Sequence, residues 1–225
     1  CDYSQVELRV MASIAQDELL LDSFRHGQDV HARTASEIFS VPLDQVTPYM
    51  RSKAKTVNFG IIYGISDFGL ARQLGVPRGE AAQYIDSYFA RYTGVKAYME
   101  REKQKARELG YVETLFGRRR YLPDIKAKNF NRRSFAERTA INTPIQGTAA
   151  DIIKIAMLKV AENLRQAQVK SRVLLQVHDE LVLEVTEKEK DQVARIVKDT
   201  MEHAVELAVP LVADVAVGKN WAQAK

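Results

Sequence analysis

Val173-Leu174-Leu175-Gln176-Val177-His178-Asp179-Glu180-Leu181-Val182-Leu183-Glu184-Val185 contains two apolar β-forming runs, Val173–Val177 and Leu181–Val185, separated only by His178, Asp179 and Glu180. A separator this short implies an antiparallel hairpin. Two-residue hairpin turns favour Asn-Gly or Asp-Gly because they require positive φ. This tip has no glycine and instead carries a histidine and two adjacent carboxylates, so turn chemistry does not explain its composition. Taken alone it is a polar loop between strands; a second carboxylate from elsewhere would make it a metal site. On one side of the hairpin a helix fits Thr148 to about Ala167, with Ile152, Ile155, Ala156, Leu158 and Leu164 as its apolar stripe. On the other an amphipathic helix fits about Glu187 to Leu207. The pattern is α+β.

The second carboxylate is available at the start of the chain. In Asp2-Tyr3-Ser4-Gln5-Val6-Glu7-Leu8-Arg9 an extended residue feeds a helix, and Ser4-x-x-Glu7 matches a capping box. Such a cap would leave Asp2 at a strand end just ahead of the helix. Carboxylates on neighbouring strand ends can bind two hard divalent cations, one activating a hydroxyl and one supporting a leaving phosphate oxygen, with Mg²⁺ the natural ion.

Between these ends the chain reads as helical. Thr47-Pro48 is a cap followed by proline at the first helical position, and the helix it opens can run to Tyr63 before Gly64. Further helices fit Ser66–Leu74, Pro77 to about Arg91, and Gly94–Leu109, with Gly75 and Gly110 as stop signals. Tyr111 to Pro123 reads as a short hairpin turning near Gly117. On the first of these helices Arg51, Lys55, Phe59 and Tyr63 recur every four residues and form one slowly winding stripe. Two cations followed by two rings suit a nucleotide lying along the helix, triphosphate on the cations and sugar and base on the rings. An amphipathic helix with solvated cations and core aromatics has the same pattern.

Composition narrows the classes further. The 225 residues, 46% hydrophobic, can bury a substantial core in one large domain or two subdomains, and a net charge of +4 is too mild to argue polyanion binding by itself. The positive charge is concentrated instead: Arg118, Arg119, Arg120, Lys126, Lys128, Arg132 and Arg133 are broken by Tyr121 and Phe130, as a backbone-tracking surface requires, although a solvated basic face would look alike. The single cysteine, Cys1, excludes an internal disulfide and a cysteine-rich zinc site and suits a reducing cytoplasm. No apolar run is long enough to span a membrane. Asp67-Phe68-Gly69 matches a kinase metal motif, but neither a glycine-rich phosphate loop nor a His-Arg-Asp catalytic loop accompanies it. A nucleic-acid-binding module without catalysis is the rival from a different class.

Asp2 to Arg9, Arg51-x-x-x-Lys55-x-x-x-Phe59-Gly60-x-x-Tyr63-Gly64 and Val177-His178-Asp179-Glu180 resemble, in this order, motifs A, B and C of family A DNA polymerases, and the likeness continues through Thr143 to Asp151 to the end of the chain. The resemblance implies an antiparallel palm sheet packed with helices, in residues 1–20 and 131–225, and a mainly helical fingers subdomain in 21–130. It implies that Asp2 and Asp179 hold two Mg²⁺ ions with the carbonyl of Tyr3 assisting and Glu180 as an acidic neighbour. It places Arg51, Lys55 and His31 on the triphosphate, Lys55 also as proton donor to pyrophosphate, and Gln5 in the same pocket. Glu7 would crowd the sugar 2′ position, Phe59 would contact sugar and base and disfavour dideoxynucleotides, and Tyr63 would stack near the templating base. Arg138, Asn142, Gln146 and His178 would feel the minor groove and primer end, where donors check pair shape without reading sequence; from the concentration of charge, not from the resemblance, Arg118–Arg120 are expected to contact template. The implied partners are primer-template DNA and deoxynucleoside triphosphates (dNTPs), with a monomeric, cytoplasmic enzyme acting in replication and repair. Family members carry palm strands, a thumb and exonuclease-type domains upstream of motif A, so the expectation is a fragment lacking an N-terminal half.

Overall fold

The computed structural model describes residues 1–224. In chain order β1 (Asp2–Tyr3) leads into α1 (Val6–Ala15), α2 (Glu18–Arg25), α3 (Val30–Phe39), α4 (Pro48–Ile62), α5 (Asp67–Leu74), α6 (Arg78–Arg91) and α7 (Thr93–Leu109). Then follow β2 (Tyr111–Glu113), β3 (Arg119–Tyr121), α8 (Phe130–Gln166), β4 (Arg172–Val177), β5 (Glu180–Glu184), α9 (Lys190–Glu202) and β6 (Ala213–Asp214), with three short 3-10 turns at 43–45, 123–126 and 221–223. The fold is α+β. None of the helices among the described residues is long and apolar enough to cross a membrane. The described residues divide into two compact units, 1–10 with 146–224, and 11–145.

The first unit holds a four-stranded antiparallel sheet in the order β4-β5-β1-β6. Val177 pairs with Glu180, so the hairpin loop is only His178 and Asp179, and Glu180 belongs to β5. The positive φ that glycine usually supplies falls on His178, at 52°, a conformation costly for a residue with a Cβ. Gln176 Nε2 donates to the His178 carbonyl at 2.6 Å and helps hold it. β6 is an added strand of two residues, placing Ala213 opposite Tyr3. Its shortness leaves no periodicity to read in the sequence.

The second unit is helical apart from the β2–β3 hairpin. Thr47 caps α4 by accepting the Met50 N–H at 3.2 Å, and Gly64, at φ 66°, ends it. Ala54, Val57, Ile61 and Ile62 supply the buried face of α4. Asp17 joins two helices 77 residues apart: one oxygen accepts from Leu20 N at 3.3 Å to cap α2, and the other accepts from Gly94 N at 2.9 Å and Val95 N at 3.4 Å at the start of α7. A Cβ on Gly94 would lie 2.8 Å from Asp17 Cα, so the junction needs glycine there.

Three expectations are corrected. α8 begins at Phe130, not Thr148, and runs through Pro144. Proline removes one ladder bond and crowds the preceding turn, but Ala136, Ala140, Ile141 and Ile145 are buried along this stretch and packing prevails. The hydroxyl of Tyr98 donates to the Ile141 carbonyl at 2.7 Å, one turn before the proline. The stripe of α8 includes Ile153 and Val160, while Leu158, 69% exposed, lies outside it. Ser4 does not cap α1: Gln5 is left-handed at φ 57° and its carbonyl accepts the Arg9 N–H, so the helix starts at Val6. α9 spans only Lys190–Glu202, since Glu187 to Glu189 form the turn into it, where the Glu189 carboxylate instead accepts from Ser171.

Candidate functional site

Asp2 and Asp179 come together through strand register. Asp2 pairs with Glu180 across β1 and β5, and Tyr3 N donates to the Asp179 carbonyl at 3.1 Å. Two acids 177 positions apart in the sequence are thus brought together by strand pairing. Burial raises the Asp2 carboxyl above its ordinary range, and Asp179 and then Glu180 raise it further through charge; a hydrogen bond between the Asp2 and Asp179 carboxyls adds to the effect. Like charges held this close favour a shared proton or a cation. Glu180 is partly committed elsewhere, its Oε1 accepting from Trp221 Nε1 at 2.8 Å. Tyr3 is buried and its hydroxyl donates to the Met201 carbonyl at 2.7 Å, anchoring β1. Asp214, opposite Asp2 on β6, is a further carboxylate that the sequence reading did not single out; its charge is felt by the buried Arg9 guanidinium. Among the described residues no cluster of three or more Asp, Glu, His or Cys is arranged to hold a metal by itself. Carboxylate and carbonyl oxygens nevertheless fit Mg²⁺, which binds through one or two carboxylates and takes its remaining ligands from water and phosphate.

The stripe on α4 lies off the core. Arg51 and Lys55 are exposed and Phe59 and Tyr63 are half-buried, whereas Ala54, Val57 and Ile61 face inward. Lys55, Phe59 and Tyr63 line a cleft of about 630 Å³ together with Gln73 and Arg138. Arg51 Nε donates to Asp29 Oδ2 at 2.6 Å. The other oxygen of Asp29 caps α3, accepting from His31 N and Ala32 N, both at 3.0 Å. Burial alone would raise Asp29, but the hydrogen bond from Arg51 and the backbone bonds hold its carboxyl below the usual range. His31 is 2% exposed, its ring 5.8 Å from that of Phe59. Burial pulls its pKa down to about 4; Asp29 opposes the fall, while Arg51 and Lys55 add to it. His31 is therefore neutral near pH 7, and with Arg51, Lys55 and Phe59 it forms one electropositive corner.

The remaining predicted residues are less concentrated. Arg138 Nη1 donates to Ser134 Oγ at 2.9 Å at the edge of the cleft. The Asn142 amide donates to the Ile62 carbonyl at 2.6 Å and to the Arg138 carbonyl at 3.3 Å, bracing the end of α4. Gln5, Glu7, Gln146 and His178 belong to the first unit; Gln146 and His178 are exposed, Gln5 and Glu7 partly so. Arg118, Arg119 and Arg120 are all exposed on the β2–β3 hairpin, but Arg119 pairs with Glu113 at 2.8 Å and its guanidinium sits 4.5 Å from the Tyr111 ring centroid. Arg120 reaches Thr143 Oγ1 at 3.4 Å. Asp29 and Asn58, like Asp214, escaped the sequence reading. Asp29 stands directly before a helix start, a legible cap signal; Asn58, fully buried in α4, left no signal because its partners come from distant segments.

A sequence model of DNA polymerase family A matches residues 1–223. DNA polymerase I of Lactococcus lactis subsp. cremoris is 56% identical over 225 residues, covering 100% of this chain and 26% of the relative. DNA polymerase I of Pseudomonas aeruginosa is 58% identical over 223 residues, covering 99% of this chain and 24% of the relative. The chain thus spans about a quarter of the length of these curated relatives. Among solved structures, the POL domain of Pol1 from M. smegmatis, in complex with DNA primer-template and dNTP, superposes with a TM-score of 0.95 at 45% identity, covering 99% of this chain and 39% of that one.

Proposed function

Because the chain belongs to DNA polymerase family A, we propose that it carries the nucleotidyl-transfer centre of a template-directed DNA polymerase. A primer 3′-hydroxyl attacks the α-phosphate of a dNTP and pyrophosphate leaves. The observation that carries this reading is the register that sets Asp2 opposite Glu180 and next to Asp179, whose charges help raise the Asp2 carboxyl. In this reading residues 1–20 and 131–225 are palm and 21–130 fingers, and the partners are primer-template DNA and dNTPs, as in the M. smegmatis complex. In this reading the role is replication and repair by a monomeric cytoplasmic enzyme.

Asp2 and Asp179, with the Tyr3 carbonyl assisting and Glu180 nearby, would hold two Mg²⁺ ions. When bound, these would lower the pKa of the attacking hydroxyl and neutralise charge on the leaving phosphate oxygen. The protein's own contribution is positioning and charge. Arg51 and Lys55 neutralise triphosphate oxygens, and Lys55 supplies a proton to pyrophosphate. Phe59 lies against sugar and base, Tyr63 stacks by the templating base, and Glu7 and Gln5 border the sugar. Arg138, Asn142, Gln146 and His178 meet the minor groove and primer end. Arg118, Arg119 and Arg120 contact the template backbone.

Primer extension by the full-length protein carrying this sequence tests the reading. Asp179→Asn is expected to abolish incorporation while leaving the circular dichroism spectrum unchanged. Near-normal turnover in that variant would remove the acid pair from the chemistry.

A further inference from the structure

The residues behind His31 are joined in a hydrogen-bond chain whose direction can be assigned. Asn58 on α4 is fully buried, and its amide nitrogen lies 3.0 Å from His31 Nδ1. Its amide oxygen is already taken, accepting from Thr34 Oγ1 at 3.1 Å. Thr34, also fully buried, has one hydroxyl proton and spends it on Asn58, so the 3.1 Å contact between Thr34 Oγ1 and the Tyr92 hydroxyl has Tyr92 as donor. With the Asn58 amide oxygen on Thr34 and its nitrogen on His31, the chain runs one way: Tyr92 donates to Thr34, Thr34 donates to Asn58, and the Asn58 NH₂ faces His31. An amide NH₂ cannot accept, so Nδ1 must be the bare nitrogen and the ring proton sits on Nε2.

We infer that Asn58 is a positioning residue that locks His31 as the neutral Nε2–H tautomer, making it an uncharged hydrogen-bond donor to a triphosphate oxygen. The donor role rests on the nucleotide reading above; the tautomer does not. Among the described residues the hydrogen bond given for the His31 ring runs through Nδ1, which leaves Nε2 to donate. The charged groups that bear on the ring are Asp29 from the start of its own helix and Arg51 and Lys55 from α4. The two cations already present explain why a third positive charge is unnecessary: they neutralise phosphate, and a neutral imidazole adds direction without repelling them. A lysine at position 31 would add charge but no fixed donor.

The test is nitrogen NMR of the ¹⁵N-histidine-labelled chain, with the His31 signal assigned by its loss in His31→Gln. Since the pKa of His31 lies at about 4, the spectrum is expected to show a protonated Nε2 and a bare Nδ1, unchanged from about pH 5.5 to 8. A ring protonated at Nδ1, or an imidazolium at pH 7, overturns the inference. Asn58→Asp supplies a second arm, because a carboxylate there accepts from Nδ1 and moves the proton to it. Nε2 then becomes bare unless the ring takes up a second proton. Relative to the unmodified protein at the same pH, which cancels ionisation of the nucleotide, dATP affinity in that variant should fall as pH rises, by up to about tenfold per unit above the new His31 pKa. A variant-to-wild-type ratio flat with pH counts against Asn58 as the controlling residue. His31→Ala separates the two ideas: unchanged dATP affinity in that variant refutes the phosphate contact, while the NMR result alone decides the tautomer. If Asn58→Asp does not fold, the spectrum of the unmodified chain still decides.

Discussion

Asp29 performs two tasks with its two oxygens, and one substitution separates them. Oδ1 caps α3 and Oδ2 holds the Arg51 guanidinium at 2.6 Å. Asparagine caps helices about as well as aspartate, so Asp29→Asn keeps the cap and removes only the charge facing Arg51. The side chains of the pair are 45% and 41% exposed, which limits such a contact to ~0–1 kcal/mol. In the nucleotide reading Asp29 competes with the triphosphate for Arg51, so releasing Arg51 should tighten dATP binding by up to about fivefold, with a steeper loss of affinity as salt is raised. Asp29→Ala also loses the cap, at about 0.5–2 kcal/mol, and loosens the backbone that carries His31; its binding should be weaker than that of Asp29→Asn. Equilibrium titration with dATP at two salt concentrations, beside urea unfolding of each variant, gives all the required quantities. Weaker binding in Asp29→Asn than in the unmodified protein would refute the competition, and identical binding in the two variants would refute the contribution of the cap.

Asp17→Ala removes the cap of α2 and leaves the N–H groups of Gly94 and Val95 without their acceptor; urea unfolding should show a loss of about 2–4 kcal/mol, and a loss under about 1 kcal/mol would mean the junction is held by packing alone. Asp2 has a raised carboxyl pKa, so the folded chain holds its proton more tightly than the unfolded one, and the site is favourable at low pH and unfavourable once pH passes the folded value. Asp2→Asn should therefore raise the melting temperature at pH 8, with the gain fading as pH falls through the carboxylate range; a lower melting temperature at pH 8 would contradict the crowding of the acids. Reversing the charges of Arg118, Arg119 and Arg120 together should flatten the dependence of primer-template affinity on salt, and an unchanged slope would free these residues from the template.

The sequence by itself determined what depends on local chemistry. Thr47-Pro48 and Gly64 fixed the limits of α4, Gly75 and Gly110 ended α5 and α7, and Gly117 turned the β2–β3 hairpin, because caps and positive φ are properties of a few adjacent residues. The spacing of Arg51, Lys55, Phe59 and Tyr63 put them on one helix face for the same reason. Tertiary structure alone decided whether that face was core or cleft, since a half-buried ring and a buried one leave identical spacing in a sequence. It carried α8 through Pro144, where apolar burial outweighed a local breaker, and it placed Gln5 and His178 at positive φ that their own preferences oppose. It also decided what Asp2 and Asp179 are to each other. Their identities were visible as two acids 177 positions apart, but the raised carboxyl of Asp2 arises from desolvation and from charges brought near by the register of β1 on β5. Asn58 marks the same boundary: its partners lie 24 and 27 residues away, and a hydrogen bond at that separation is set by how α3 packs on α4, which no periodicity along the chain encodes.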